Sequence, residues 1–205
     1  MGAEMCIRDS VPILLSDHGF CAVHREVYLN HLLAEEGYLK FKTDPPKDIR
    51  DMSARTQAYS LIPGRIFINL KGREAEGPVE PSAYESLRDE LSKKLLAMAD
   101  PDTGQQVIEK VIRREEVYSG PWLEEAADLI AIPYDGYDLK GNVDKDELMH
   151  KGALVGMHTL DDALLYIHSQ EIVKEDLCVV DLMPTLLQLM GIPSPADLNG
   201  TSCIG

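Results

Sequence analysis

The first apolar run in the chain, Val11-Pro-Ile-Leu-Leu15, is five residues long and stops at Ser16-Asp17-His18-Gly19. That is the pattern of a short buried strand opening into a loop. Strand and helix signals then alternate down the sequence, which points to an α/β layer architecture rather than a bundle or a β-sandwich. Arg25 to Glu36 reads as a helix with Val27, His31, Leu32 and Leu33 on one face and Gly37 at its end. Lys42 to Arg55 holds Pro45-Pro46 and reads as an irregular connection, and Arg65 to Asn69 as a strand. From Pro81 to Met98 the sequence predicts a helix. Ser82 and Glu85 are spaced as a capping box, Leu87, Leu91 and Leu95 form the inner face, and Asp89/Lys93 and Glu90/Lys94 pair outside.

Asp100 to Gly104 has turn composition, and Val107 to Arg113, Asp128 to Pro133 and Ala163 to Ile167 read as strands. Gly136 to Gly152 shows no apolar period and reads as a long loop. Asp181 is placed to cap a helix from Leu182 to Met190 that Gly191 and Pro193 stop. No internal repeat or low-complexity tract is present.

With 205 residues the chain is long enough for a full hydrophobic core without a disulfide or metal staple. It carries 20 Lys and Arg against 35 Asp and Glu, a formal charge of −15. Such a surface repels polyanions, so nucleic acid and anionic membranes are expected not to be partners. No apolar run approaches the roughly 18 residues a bilayer crossing needs, and Glu4, Arg8 and Asp9 interrupt the place where a signal peptide would be apolar. Cys6, Cys21, Cys178 and Cys203 form no CxxC pair and no zinc-finger spacing. They read as reduced, mostly buried thiols, and the expected location is the cytoplasm.

Asp17 and His18 are the first residues that could carry chemistry. Neighbours on a strand point to opposite faces, but Gly19 lets the chain bend at the strand's end, where the two side chains can converge. The open side of an α/β sheet, beyond the carboxyl ends of its strands, is where ligands bind. A carboxylate beside a neutral imidazole suits zinc, manganese or iron. His158, in Gly156-Met-His-Thr159, is a loop histidine that can reach a metal. His24, His31 and His168 read as structural and His150 as a reserve ligand. Asp135 and Asp138 lack EF-hand spacing and read as a solvated acidic loop. The chain has no G-x-S-x-G elbow, no P-loop and no G-x-G-x-x-G turn.

Taken together, four ordered pieces resemble the alkaline phosphatase superfamily, and most of all its type I phosphodiesterase/nucleotide pyrophosphatase-like branch. They are Ile13-Leu-Leu-Ser-Asp-His-Gly-Phe20, Asn30-His-Leu-Leu-Ala-Glu-Glu-Gly37, Gly156-Met-His-Thr159, and Asp181-Leu-Met-Pro-Thr-Leu-Leu-Gln-Leu-Met-Gly-Ile-Pro193 with Asp197-Leu-Asn-Gly200. Arg65 to Gly77 resembles the same branch. The resemblance implies an alkaline-phosphatase-like three-layer α/β sandwich acting on a small phosphate mono- or diester with two divalent metal ions, zinc or else manganese. By that resemblance Asp17 and His18 bind one metal and His158 the other. Thr159 departs from the family, where Gly often follows that histidine.

The family's Thr or Ser nucleophile and its remaining ligands lie on earlier strands, and nothing in the first sixteen residues here fits them. The expectation is therefore that residues 11–205 are the C-terminal half of such a hydrolase, inactive alone. Met5-Cys-Ile-Arg-Asp-Ser10 resembles translated adapter sequence, so residues 1–10 are expected to be a non-native leader. A phosphoglycerate mutase-like or sulfatase-like member of the superfamily, or a catalytically dead module of the same fold, is the alternative.

Overall fold

Strand β1 (Ile13–Ser16) pairs antiparallel with β11 (Leu164–Ile167), bringing Ile13 opposite Ile167 and Ser16 opposite Leu164. These strands belong to the first of two compact units, which takes the chain up to Phe20 and then His158–Gly205; the second is Cys21–Met157. The computed structural model describes residues 10–205, so the expected leader lies, but for Ser10, outside the described residues. The fold is mixed α/β, as the alternation of signals requires.

In the first unit, one face of the β1–β11 ribbon is covered only in part, since Leu15 on that face is 51% exposed. Ile167, Cys203 and Ile204 form a small core there, with Ile13, Leu165, Ile172 and Leu189 packed against it. The other face carries Leu14, Tyr166 and Leu164, each more than half exposed. This corrects the expectation of a buried strand. The apolar run is present, but two strands make one layer, and one layer covers one face. The C-terminal segment is fastened by Asp181, whose carboxylate accepts from the amides of Cys178 and Thr201 (both 2.9 Å) and from Lys174 Nζ at 2.8 Å. The Lys174 ammonium and those two amides hold its pKa down at about 2. Asp181 thus does not cap the helix that follows (Leu182–Leu189) through its side chain. Its oxygens are spent on the preceding turn and the tail.

The second unit holds most of the core. Strands β4 (Ala58–Ile62), β5 (Arg65–Ile68), β7 (Leu129–Pro133) and β6 (Ile108–Arg113) form an antiparallel sheet in that order. Leu87, Leu91 and Leu95 of the helix Tyr84–Leu96 are buried with Ile66, Ile68, Ile108 and Leu129, as their four-residue spacing predicts. A second, three-stranded sheet centres on β3 (Arg25–Tyr28), parallel to β8 (Tyr137–Lys140) and antiparallel to β9 (Met149–His150).

Several expectations are corrected here. Arg25 to Tyr28 is strand rather than helix, and the helix is only Leu29–Glu35. Val27 and Tyr28 suit a strand with partners on both edges, and that pairing overrides a marginal helical period. The supposed loop 136–152 contains β8, where Tyr137 and Leu139 point inward and Asp138 and Lys140 less so. Asp138 is in an ion pair with Lys140 at 2.6 Å. The Ser82–Glu85 capping box does not form, because Pro81–Ala83 is a separate turn and the cap position falls on Ala83. The outer helix charges also choose other partners. Asp89 bonds Arg113, Glu90 accepts from the Tyr38 hydroxyl, and Lys94 meets Glu36 at 2.7 Å. Neighbouring segments present fixed donors and acceptors that a flexible i,i+4 pair cannot match.

Beneath the four-stranded sheet lies a buried ionic cluster built on Asp128, which has no exposed surface. It accepts from Arg73 Nη1 and Nη2 (both 2.7 Å), the Ile68 amide at 2.6 Å and the Tyr84 hydroxyl at 2.5 Å. Burial pushes its pKa up, but these donors outweigh burial and leave it below the ordinary carboxylate range. Replacing Asp128 with Ala should strand the Arg73 guanidinium and cost about 3–5 kcal/mol in a urea titration. Joint replacement with Arg73→Met should recover a large part of that loss. A cost under about 1 kcal/mol for Asp128→Ala would show the cluster to be incidental.

Candidate functional site

Asp17, His18 and Gly19 follow the end of β1, on the bend the sequence predicts. His158 ends β10 (Gly156–His158), the partner of β2 (Phe20–Ala22) in a two-stranded sheet. The imidazoles of His18 and His158, far apart in sequence, lie face to face with ring centroids 3.8 Å apart and planes 18° from parallel. Phe20 stands edge-on to both rings, 5.1 Å from each. Phe20 is 70% exposed, so its ring contact here is with the two histidines rather than with a core.

Gly19 makes this approach possible. A Cβ there would sit 2.5 Å from the Asp162 Cβ and 2.7 Å from Thr159 Oγ1, distances no side chain tolerates. Its carbonyl accepts from the Thr159 amide at 3.2 Å and faces His18 Nδ1 at 3.0 Å. A carbonyl can only accept, so in the neutral ring Nδ1 carries the proton and Nε2 keeps its lone pair. Thr159 is buried and its hydroxyl has no hydrogen-bond partner among the described residues. Phe20, Thr159 and Asp162 were not assigned roles from the sequence. Only the neighbourhood of Gly19 marks them.

His18 Nε2 lies 3.6 Å from Asp17 Oδ1, too far for a hydrogen bond. Two ligands of one tetrahedral zinc stand about 3.4 Å apart, so this gap is the right width for an ion shared between them. The Nδ1–H contact to Gly19 is also the outer bond that commonly orients a ligating histidine. Asp17 and His18 therefore fit as two ligands of one ion. No group of three or more His, Cys, Asp or Glu side chains converges on a single point among the described residues. The fit is thus partial.

Other candidates stand elsewhere. His150 sits on β9 with Glu147 at 2.9 Å, and His31 contacts the Lys145 carbonyl and Glu35; both belong to the second unit. His168 shares a hydrogen bond with the Tyr166 hydroxyl. Cys21, Cys178 and Cys203 are free, and Cys178 is exposed rather than buried. No helix among the described residues is long and apolar enough to cross a membrane. Beside Asp17 opens a cavity of about 530 Å³ with Leu15, Leu164, Leu165, Leu177 and Val179 among its walls and Asp161 and Glu175 as further carboxylates.

The type I phosphodiesterase/nucleotide pyrophosphatase family profile matches residues 7–161, and the chain belongs to that family. Its function is accordingly that of a phosphoester hydrolase-like domain. The match takes in Asp17, His18 and His158 but not the C-terminal helix. Comparison with curated proteins gave no match.

Gly19→Ala should separate the two imidazoles and lower stability by about 1–3 kcal/mol, the usual cost of an overpacked position. Nuclear Overhauser contacts between the His18 and His158 rings, strong in the native chain, should vanish in the variant. Their persistence would mean that the close approach does not depend on Gly19.

Proposed function

We propose that this chain supplies part of the metal centre of a two-metal phosphoester hydrolase, with Asp17 and His18 on one divalent ion and His158 on a second. The single observation that carries the reading is the His18–His158 stack. Two parallel imidazoles 3.8 Å apart match the roughly 3.5–4 Å spacing of paired catalytic ions, so each ring can serve its own ion. The 3.6 Å gap between Asp17 and His18 supports the first half of that assignment, and family membership supports the reaction class. Zinc is the metal the carboxylate–imidazole set favours, with manganese next.

When bound, such ions lower the pKa of a hydroxyl nucleophile and stabilise the charge on the leaving oxygen. The residues of this chain do the holding. Asp17 supplies the hard anionic ligand, and the Gly19 carbonyl fixes the His18 tautomer so that Nε2 is offered. Phe20 keeps both rings upright. None of the three ligands makes or breaks a bond. The Thr or Ser nucleophile and the other ligands are proposed to come from a preceding part of a longer polypeptide. Two observations support this: among the described residues no three His, Cys, Asp or Glu side chains converge on one point, and Leu14, Tyr166 and Leu164 are each more than half exposed. The substrate proposed is a small phosphate mono- or diester, in keeping with a charge of −15 that disfavours nucleic acid polymers.

Calorimetric titration of the 205-residue chain with zinc should give weak binding, lowered about tenfold or more by His18→Ala, as expected when one of so few ligands is lost. Hydrolysis of p-nitrophenyl phosphate and of p-nitrophenyl phenylphosphonate should be at background with zinc or manganese. Robust hydrolysis that His158→Ala abolishes would overturn the divided site. Absence of any zinc binding would favour a catalytically dead module.

A further inference from the structure

Acidic side chains outnumber basic ones by fifteen in this chain, so a cavity lined by bases and neutral donors is out of character with the rest. The second unit has one, about 620 Å³, lined by His24, Arg25, Thr103, Gln105, Tyr137 and Lys151. It contains neither Asp17, His18 nor His158, and no carboxylate is among its lining residues.

Its construction is specific. Parallel pairing of β3 with β8 sets Arg25 directly beside Tyr137. The amides of His24 and Arg25 both donate to the Gly136 carbonyl, at 2.7 and 3.1 Å. Gly136 has φ +94°, and a Cβ there would lie 2.1 Å from His24 Cδ2, so the imidazole rests over bare backbone. Arg25 is clamped by Asp102, and its Nε is 3.5 Å from Asp100. Asp100 is itself buried and held by the amides of Asp102 and Thr103 and by the Tyr137 hydroxyl at 3.3 Å. Both carboxylates are therefore committed to fixing Arg25. Lys151 Nζ donates one proton to the Val23 carbonyl. Its two other N–H groups, the His24 ring and the Gln105 amide make no hydrogen bond to any described residue.

We propose that this cavity binds the phosphate group of a small phosphorylated ligand, with Lys151 as the charged donor and His24 and Gln105 as further donors. Lys151 can only donate, and His24 and Gln105 can each offer a donor beside it. An ammonium with two spare protons beside an amide and an imidazole suits an oxyanion, because each oxygen can take a charge-assisted or neutral hydrogen bond. Because this site shares no residue with the proposed metal centre, it stands or falls separately from it.

The test is a backbone-amide NMR titration of the 205-residue chain with inorganic phosphate, in buffer containing EDTA. Saturable shifts at Arg25, Thr103, Gln105 and Gly136 are expected, with a dissociation constant of roughly 1 mM. Lys151→Met should weaken binding about tenfold, the worth of one charge-assisted bond, while the spectrum elsewhere stays native. His18→Ala should leave phosphate affinity unchanged. Tetramethylammonium should not shift the same amides. The inference is overturned if phosphate gives no saturable shift in this cavity, if Lys151→Met binds as the native chain does, or if the cation binds instead.

Discussion

Gly19 is the constraint on which the site depends. The loop after β1 comes so close to the stretch around Thr159 and Asp162 that no side chain fits between them. One short contact, closed by the Thr159 amide on the Gly19 carbonyl, lays two distant parts of the sequence against each other. His18 precedes the glycine and His158 precedes the threonine, so backbone closure alone puts the rings in reach. Phe20 stands edge-on to both stacked rings. Thr159, which departs from the family's usual glycine, does not disturb this. Its amide does the work and its hydroxyl is merely buried.

The two units solve the burial problem differently. In the second, leucines at four-residue spacing meet alternating strands, and an ionic cluster on Asp128 locks sheet to helix. In the first, the residues of β1 could be covered on two sides, yet the core reaches one.

Much of this was legible in the sequence where one physical signal dominated. Arg65 to Ile68, Ile108 to Arg113 and Leu129 to Pro133 alternate or run apolar between clear turn residues, and all three are strands. The juxtaposition of His18 with His158 followed from a resemblance and from no local signal, since proximity across the chain is a property of the fold. Legibility failed where tertiary partners decided. Arg25 to Tyr28 has a helical period but finds strand neighbours, Asp181 has a cap's chemistry but closer donors elsewhere, and Ala58 to Ile62 went unnoticed as a strand. The ring contacts of Phe20 and the donor-rich cavity around His24 had no signature of their own in the sequence. They arise from pairings that only the folded chain makes.

The central claim is that His18 and His158 act as neighbours on one metal centre. The most direct measurement is long-range ¹H–¹⁵N spectroscopy of the imidazole rings as zinc is added. The account predicts that the ring nitrogens of His18 and His158 move together, with His18 Nε2 taking the ligand shift and Nδ1 remaining protonated. Zinc shifts confined to His31, His150 or His168, with both stacked rings unmoved, would contradict it.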